Sequence, residues 1–137
     1  MAKSKAYRQV KRIVLAVHNE KDPTDEEYAA YCEFCLGLPT YVNSYLIKTD
    51  GGNLTPKQRA ATNETLKKRG TPEPTVAVVT PKVMVRGVVT ALSWFNKNIR
   101  SFAPTEIDAA MKYLGLTPLE MGEAAVALRK LEADLKR

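Results

Sequence analysis

Histidine and cysteine are scarce in this chain, at one and two among 137 residues. A single imidazole cannot build a histidine-rich metal site, and two cysteines without an export signal do not make a disulfide scaffold. No apolar run is long or continuous enough to span a membrane. The opening stretch MAKSKAYRQVKR carries charge but lacks the apolar segment of a secretory signal, so a cytoplasmic protein is expected. Missing as well are a G-x-S-x-G elbow, a G-x-G-x-x-G or G-x-x-x-x-G-K-[ST] phosphate loop, and a histidine placed beside a nucleophile. No carboxylate pair falls at helical spacing on an otherwise apolar face. These absences argue against catalysis and leave no cofactor to expect. Repeats and low-complexity segments are absent too.

With 45% apolar residues the chain can bury a core without disulfides or metals, and its length suits one domain. The formal charge of +6 is unevenly spread. Lys3, Lys5, Arg8, Lys11 and Arg12 make residues 1–11 and their border a basic tail, while Glu20, Asp22, Asp25, Glu26, Glu27 and Glu33 crowd the next segment with acid. The tail can be solvated, fold back on that acid, or meet nucleic acid. Aromatic residues for base stacking are not interleaved with its charges, which makes nucleic acid the weaker reading.

The organising stretch is residues 75–95, TVAVVTPKVMVRGVVTALSWF. TVAVV is β-branched and apolar without alternation, as in a strand buried on both faces of a parallel sheet. Thr80-Pro81 then predicts a helix start with an N-cap threonine and a first-turn proline. That helix is expected over 81–95, with Met84, Val88, Leu92 and Phe95 on its inner stripe and Trp94 also in the core. Gly87, mid-helix, predicts a close packing contact, because glycine there otherwise costs helix stability.

Around this stretch, residues 12–17 (RIVLAV) predict a first strand and Thr24 with Glu27 a capping box opening a helix that stops near Gly37. Residues 41–48 predict a second strand, and Thr49-Asp50-Gly51-Gly52-Asn53 is the most turn-rich segment. Thr55-Pro56 opens a polar helix over 56–69, with Ala60, Ala61 and Leu66 as its inner edge and Gly70 as its terminator. Residues 99–102 predict a fourth strand and 105–114 a helix ended by Gly115. Thr117-Pro118 with Glu120 starts a last helix whose stripe is Met121, Ala124, Ala125, Leu128, Leu131 and Leu135. Strand and helix alternate throughout, so the fold class is α/β, with a four-stranded, mainly parallel sheet and a C-terminal amphipathic helix over 117–137.

A strand ending in Asp-Gly at residues 46–52, the strand and helix at 75–95, and Ile99 to Phe102 with residues 109–116 together resemble the STAS-like domains. These form the sulphate-transporter and anti-sigma-factor-antagonist group, and the likeness is to their small stand-alone bacterial members. It covers residues 12–116, extending a little to residue 10. The resemblance implies a non-enzymatic regulatory or scaffolding module that binds a protein partner, in some members switched by phosphorylation of a hydroxyl at a strand-to-helix loop. Asp50 matches the family's aspartate, but Gly51 and Gly52 stand where the serine would be, leaving Thr55 as the nearest hydroxyl.

Read without the family, Gly51 and Gly52 allow close backbone approach, and the helix after them offers free N–H groups to an anion. Lys57 and Arg59 add charge, and Thr80, Lys82 and Arg86 repeat the geometry at the central helix. Asp50, Gly51, Gly52, Thr55, Lys57, Thr80, Lys82 and Arg86 are therefore the candidate partner-binding or ligand-binding residues. An anionic small molecule, phospho-ligand or lipid headgroup is the alternative to a protein partner. Cys32 and Cys35 form a C-x-x-C late in a helix, where the dipole disfavours thiolate, and read as core cysteines rather than as a redox or metal pair. The stripe of the last helix must pack on something. It covers either its own sheet or the same helix of a second chain, and a homodimer is the favoured expectation.

Overall fold

The computed structural model describes residues 3–87 and 98–136. β1 (Lys5–Val10) and β2 (Ile13–His18) form an antiparallel hairpin, and β3 (Ser44–Thr49), β4 (Thr75–Val79) and β5 (Ile99–Phe102) add to β2 in parallel. The sheet therefore has five strands in the order β1-β2-β3-β4-β5. Helices α1 (Asp25–Leu36) and α2 (Pro56–Arg69) precede a third helical segment, α3, described over residues 83–87. A 3-10 turn (Pro104–Glu106) leads into α4 (Ile107–Tyr113), and α5 (Pro118–Leu135) closes the chain.

A strand order that advances one step at a time, with right-handed crossovers, sends its crossover helices to one face. On that face Tyr28, Tyr31 and Cys35 of α1, with Leu38 and Val42, pack on Val14 and Tyr45. The opposite face presents Leu15, Val17, Leu46, Val79 and Phe102, covered by Met111 of α4 and by Ala124, Leu128 and Leu131 of α5. These two helices follow the last strand and are free to take the face that the crossovers leave bare. β2 is buried on both sides, which is why its sequence is a continuous apolar run.

The expected four mainly parallel strands are thus five in a mixed sheet. The additional strand is β1, in the segment expected to be a basic tail. Its pattern is split by charge: Ala6 and Val10 pack on the α5 side while Lys5 and Tyr7 turn to α1. Its turn carries no glycine or asparagine, because Lys11 itself takes the left-handed conformation at φ 53°. Hairpin turns usually advertise themselves through those two residues.

Three helix details also differ from expectation. Ala60 of α2 is exposed, and Gln58 and Thr65 are buried in its place, because α2 packs on α1 rather than offering an apolar edge to the sheet. Helical residues begin at 83, not 81, and Met84 of the expected inner stripe is 85% exposed. Gly87 is exposed, and a Cβ there would meet nothing within 4 Å, so it makes no packing contact among the described residues. Val88, Leu92, Trp94 and Phe95 lie outside the described residues.

The stripe of α5 packs on β1 and β2 of its own sheet. Of the two coverings expected for it, its own sheet is the one observed. The helix starts expected at Thr24 with Glu27 and at Thr117 with Glu120 form capping boxes, and Thr55, expected as a plain N-cap, forms one as well with Gln58.

Candidate functional site

The parallel strands end together, so the loops after β2, β3 and β4 meet at one edge. Asp50 N–H donates to His18 O at 3.0 Å and Gly52 N–H to Asn19 O at 3.3 Å, which laces the loop after β3 to the loop after β2. A Cβ on Gly52 would stand 2.3 Å from Lys21 O, so only glycine fits this approach. Gly51 takes φ 115°, and the space where its Cβ would lie is 3.3 Å from the Lys82 stem. Thr80 is fully buried; its N–H donates to Phe102 O at 3.0 Å and its Oγ1 accepts from Lys82 N–H at 3.2 Å.

Asp50, Gly51, Gly52, Thr80 and Lys82 therefore share one edge, with Arg86 a turn beyond Lys82, whose carbonyl accepts the Arg86 N–H at 3.1 Å. Thr55 and Lys57 are engaged at the start of α2 instead. Thr55 caps α2, Gln58 Nε2 donates to Asp25 Oδ1 at 3.1 Å, and the exposed Lys57 ammonium lies 3.6 Å from Asp25 Oδ2.

The backbone donors of the glycine loop have internal partners. Beyond the two bonds of Asp50 and Gly52, Gly51 N–H donates to Thr49 Oγ1 at 3.1 Å and Asn53 N–H to Asp22 Oδ1 at 2.8 Å. A carboxylate thus already occupies part of the place where an anion would be cradled. The sheet order has no reversal, so the crevice that opens at the switch point of doubly wound sheets has no counterpart here. What this edge does present is apolar: Val83 and Met84, next to Lys82, are 72% and 85% exposed.

A second cluster was not legible in the sequence. Lys5 is 4% exposed, and its Nζ lies 3.3 Å from the Tyr31 ring centroid, 4.9 Å from that of Tyr28 and 5.6 Å from that of Tyr7. The ammonium has no hydrogen-bond acceptor among the described residues. Burial lowers its pKa to about 7, against the smaller opposing pull of Cys35, Cys32 and Glu27. His18, its partner across the hairpin, is lowered to about 3, first by burial and then by Lys5.

Burial pushes Glu27 up, but hydrogen bonds from Ser4 N–H at 2.9 Å, Thr24 N–H at 3.2 Å and Ser4 Oγ at 2.9 Å outweigh it and hold the carboxylate below its usual range. Of the C-x-x-C, Cys35 is buried and Cys32 half-buried, and burial raises the Cys35 thiol. The only local signal for this cluster is the two-residue spacing of Lys5 and Tyr7, which places both on one face of a strand. Among the described residues no group of three or more histidine, cysteine or acidic side chains is placed to hold a metal ion, and no helix is long and apolar enough to cross a membrane.

Comparison of the chain with protein-family models, with curated proteins and with solved structures gave no match.

Proposed function

We propose that this protein is a small cytoplasmic, non-enzymatic regulatory or scaffolding module of STAS-like type that works by binding another protein. The observation that carries the reading is the adjacent pair Val83 and Met84, large apolar side chains held out at the carboxyl edge of the sheet beside Lys82. Exposing two such residues together costs solubility, and a partner that covers them recovers the apolar burial. The glycine loop supports the same reading, because its N–H groups are bonded internally and it serves to brace that edge. The succession of β3, Asp50-Gly51, α2 and β4 follows the order on which the family resemblance rests.

The test is retrieval of the tagged protein from its source cells, beside a Val83→Asp, Met84→Asp variant. The expected result is a stoichiometric protein partner that the variant loses while its melting midpoint stays within a degree or two of the parent, as surface changes generally do. A co-purifying phosphorylated metabolite with no protein partner would sink the proposal in favour of anion binding.

A further inference from the structure

The outer edge of β1 is a second surface with its own logic. In an antiparallel pair, residues alternate between those bonded to the neighbour and those whose N–H and C=O point away. Asn19 N–H donates to Ser4 O at 2.9 Å, and the register pairs Ala6 with Val17, Arg8 with Leu15 and Val10 with Ile13. Residues 4, 6, 8 and 10 therefore face β2. Lys5, Tyr7 and Gln9 turn their backbone N–H and C=O groups to the open side.

Two hollows, of about 500 and 560 Å³, are lined by residues of β1 together with residues of its flanking helices. β1 forms their floor. Leu119, Gly122 and Val126 of α5 wall one end, where Leu119 is 70% and Val126 51% exposed. Glu27 and Ala30 of α1 wall the other.

We propose that this groove binds an extended, acidic segment of a partner protein, added to the sheet as a sixth strand antiparallel or parallel to β1. Main-chain bonds to Tyr7 and Gln9 supply affinity, and alternate apolar side chains of the segment settle on Leu119 and Val126. Charge selects the occupant. Lys3, Arg8 and Lys130 line the groove and make no ion pair among the described residues, whereas Glu27 is engaged by Ser4 and Glu123 by Lys11 at 2.7 Å. Asp134 is the only acidic side chain of the two hollows without such a partner. A second copy of the chain fits less well, because β1 has no acidic residue to offer Lys3, Arg8 and Lys130. The surface is separate from the Val83 and Met84 pair, so a chain with both can bridge two segments.

The test uses the full chain and three capped octapeptides: alternating glutamate and valine, alternating lysine and valine, and the glutamate peptide N-methylated at alternate residues. Fluorescence anisotropy reads binding, and amide hydrogen exchange reads its location. The glutamate peptide is expected to bind and to slow exchange at Tyr7 and Gln9, with the already bonded Arg8 and Val10 amides unchanged. N-methylation is expected to weaken binding about tenfold or more, as loss of main-chain bonds should. Gln9→Pro removes an outward N–H that β2 does not use, so it is expected to fold and to lose the peptide. If that variant unfolds, the N-methylated peptide tests the same bonds in the parent. Equal binding of the lysine peptide, no binding of the glutamate peptide, or a dimer that Gln9→Pro dissociates would each overturn the proposal. None of these outcomes bears on partner loss by the Val83→Asp, Met84→Asp variant.

Discussion

Arg12 grips Glu120 across a sequence separation of 108 residues, with Nε 2.8 Å from Oε2 and Nη2 2.9 Å from Oε1. Arg12 Nη2 also donates to Gly115 O at 2.7 Å, and Glu120 Oε1 accepts the Thr117 N–H at 2.9 Å. One carboxylate thus closes the cap of α5 and ties that helix to the turn between β1 and β2. The two hydrogen bonds need the planar fork of a guanidinium, which an ammonium cannot supply.

Arg12→Lys should therefore lower the melting midpoint by a few degrees although the charge is kept. The Arg12 bond, helped by the Thr117 backbone, holds Glu120 down to about 2. A carboxyl depressed in the folded state stabilises above its ordinary pKa and loses that contribution as the pH falls toward about 2. Thermal melts between pH 5 and pH 2 should converge for parent and variant at the acid end; a constant gap would show that the pairing does not matter.

Lys5 gives a pH dependence of opposite origin. Its folded pKa of about 7 lies below the ordinary 10.5, so between these values the unfolded chain holds more protons and stability rises with pH. From about pH 6.5 to about pH 8.5 the slope should approach roughly 1 kcal/mol per unit. His18, lowered to about 3, contributes a similar rise only below its ordinary 6.5. The other groups facing Lys5, namely Tyr7, Tyr28, Tyr31, Cys32, Cys35 and Glu27, remain in Lys5→Met, so the difference between the two proteins isolates the amine. Denaturant titrations that show the same slope in Lys5→Met would refute a buried, discharging lysine.

Two glycines should respond to alanine with opposite signs. Gly52→Ala drives a Cβ into the Lys21 carbonyl and should cost on the order of 1–3 kcal/mol, with loosening of the loops after β2 and β3. Gly87 is helical, exposed and open around its Cβ position, so Gly87→Ala should stabilise by up to about 1 kcal/mol. Equal melting midpoints for the two variants would contradict both placements.

Leu128 and Leu131, on the inner face of α5, are 4% and 5% exposed. Charging either with glutamate leaves an unpaired ion in the core and should cost on the order of 3–5 kcal/mol. The double change is expected to unfold the chain, read as loss of far-ultraviolet circular dichroism. A folded, monomeric double variant in sedimentation would mean that the stripe serves an interface instead.

What the sequence determined by itself is what short-range chemistry specifies. Thr24, Thr55 and Thr117 each stand three residues before a glutamate or glutamine that returns the hydrogen bond, and a capping box needs nothing from the rest of the fold. The apolar run of β4 and the terminator Gly70 are local in the same sense. Tertiary structure decided the remainder. A strand such as β1, with lysine and arginine among its residues and a lysine in its turn, is stable only because α1 offers Lys5 an aromatic bed and α5 covers Ala6 and Val10. Likewise the stripe of α5 states only that it must be covered, and which surface covers it depends on the face that the right-handed crossovers leave open. Burial, pairing and the pKa values of Lys5 and His18 follow from that assembly, because each depends on neighbours that are distant in the chain and are brought together only when the sheet and its two helical layers close.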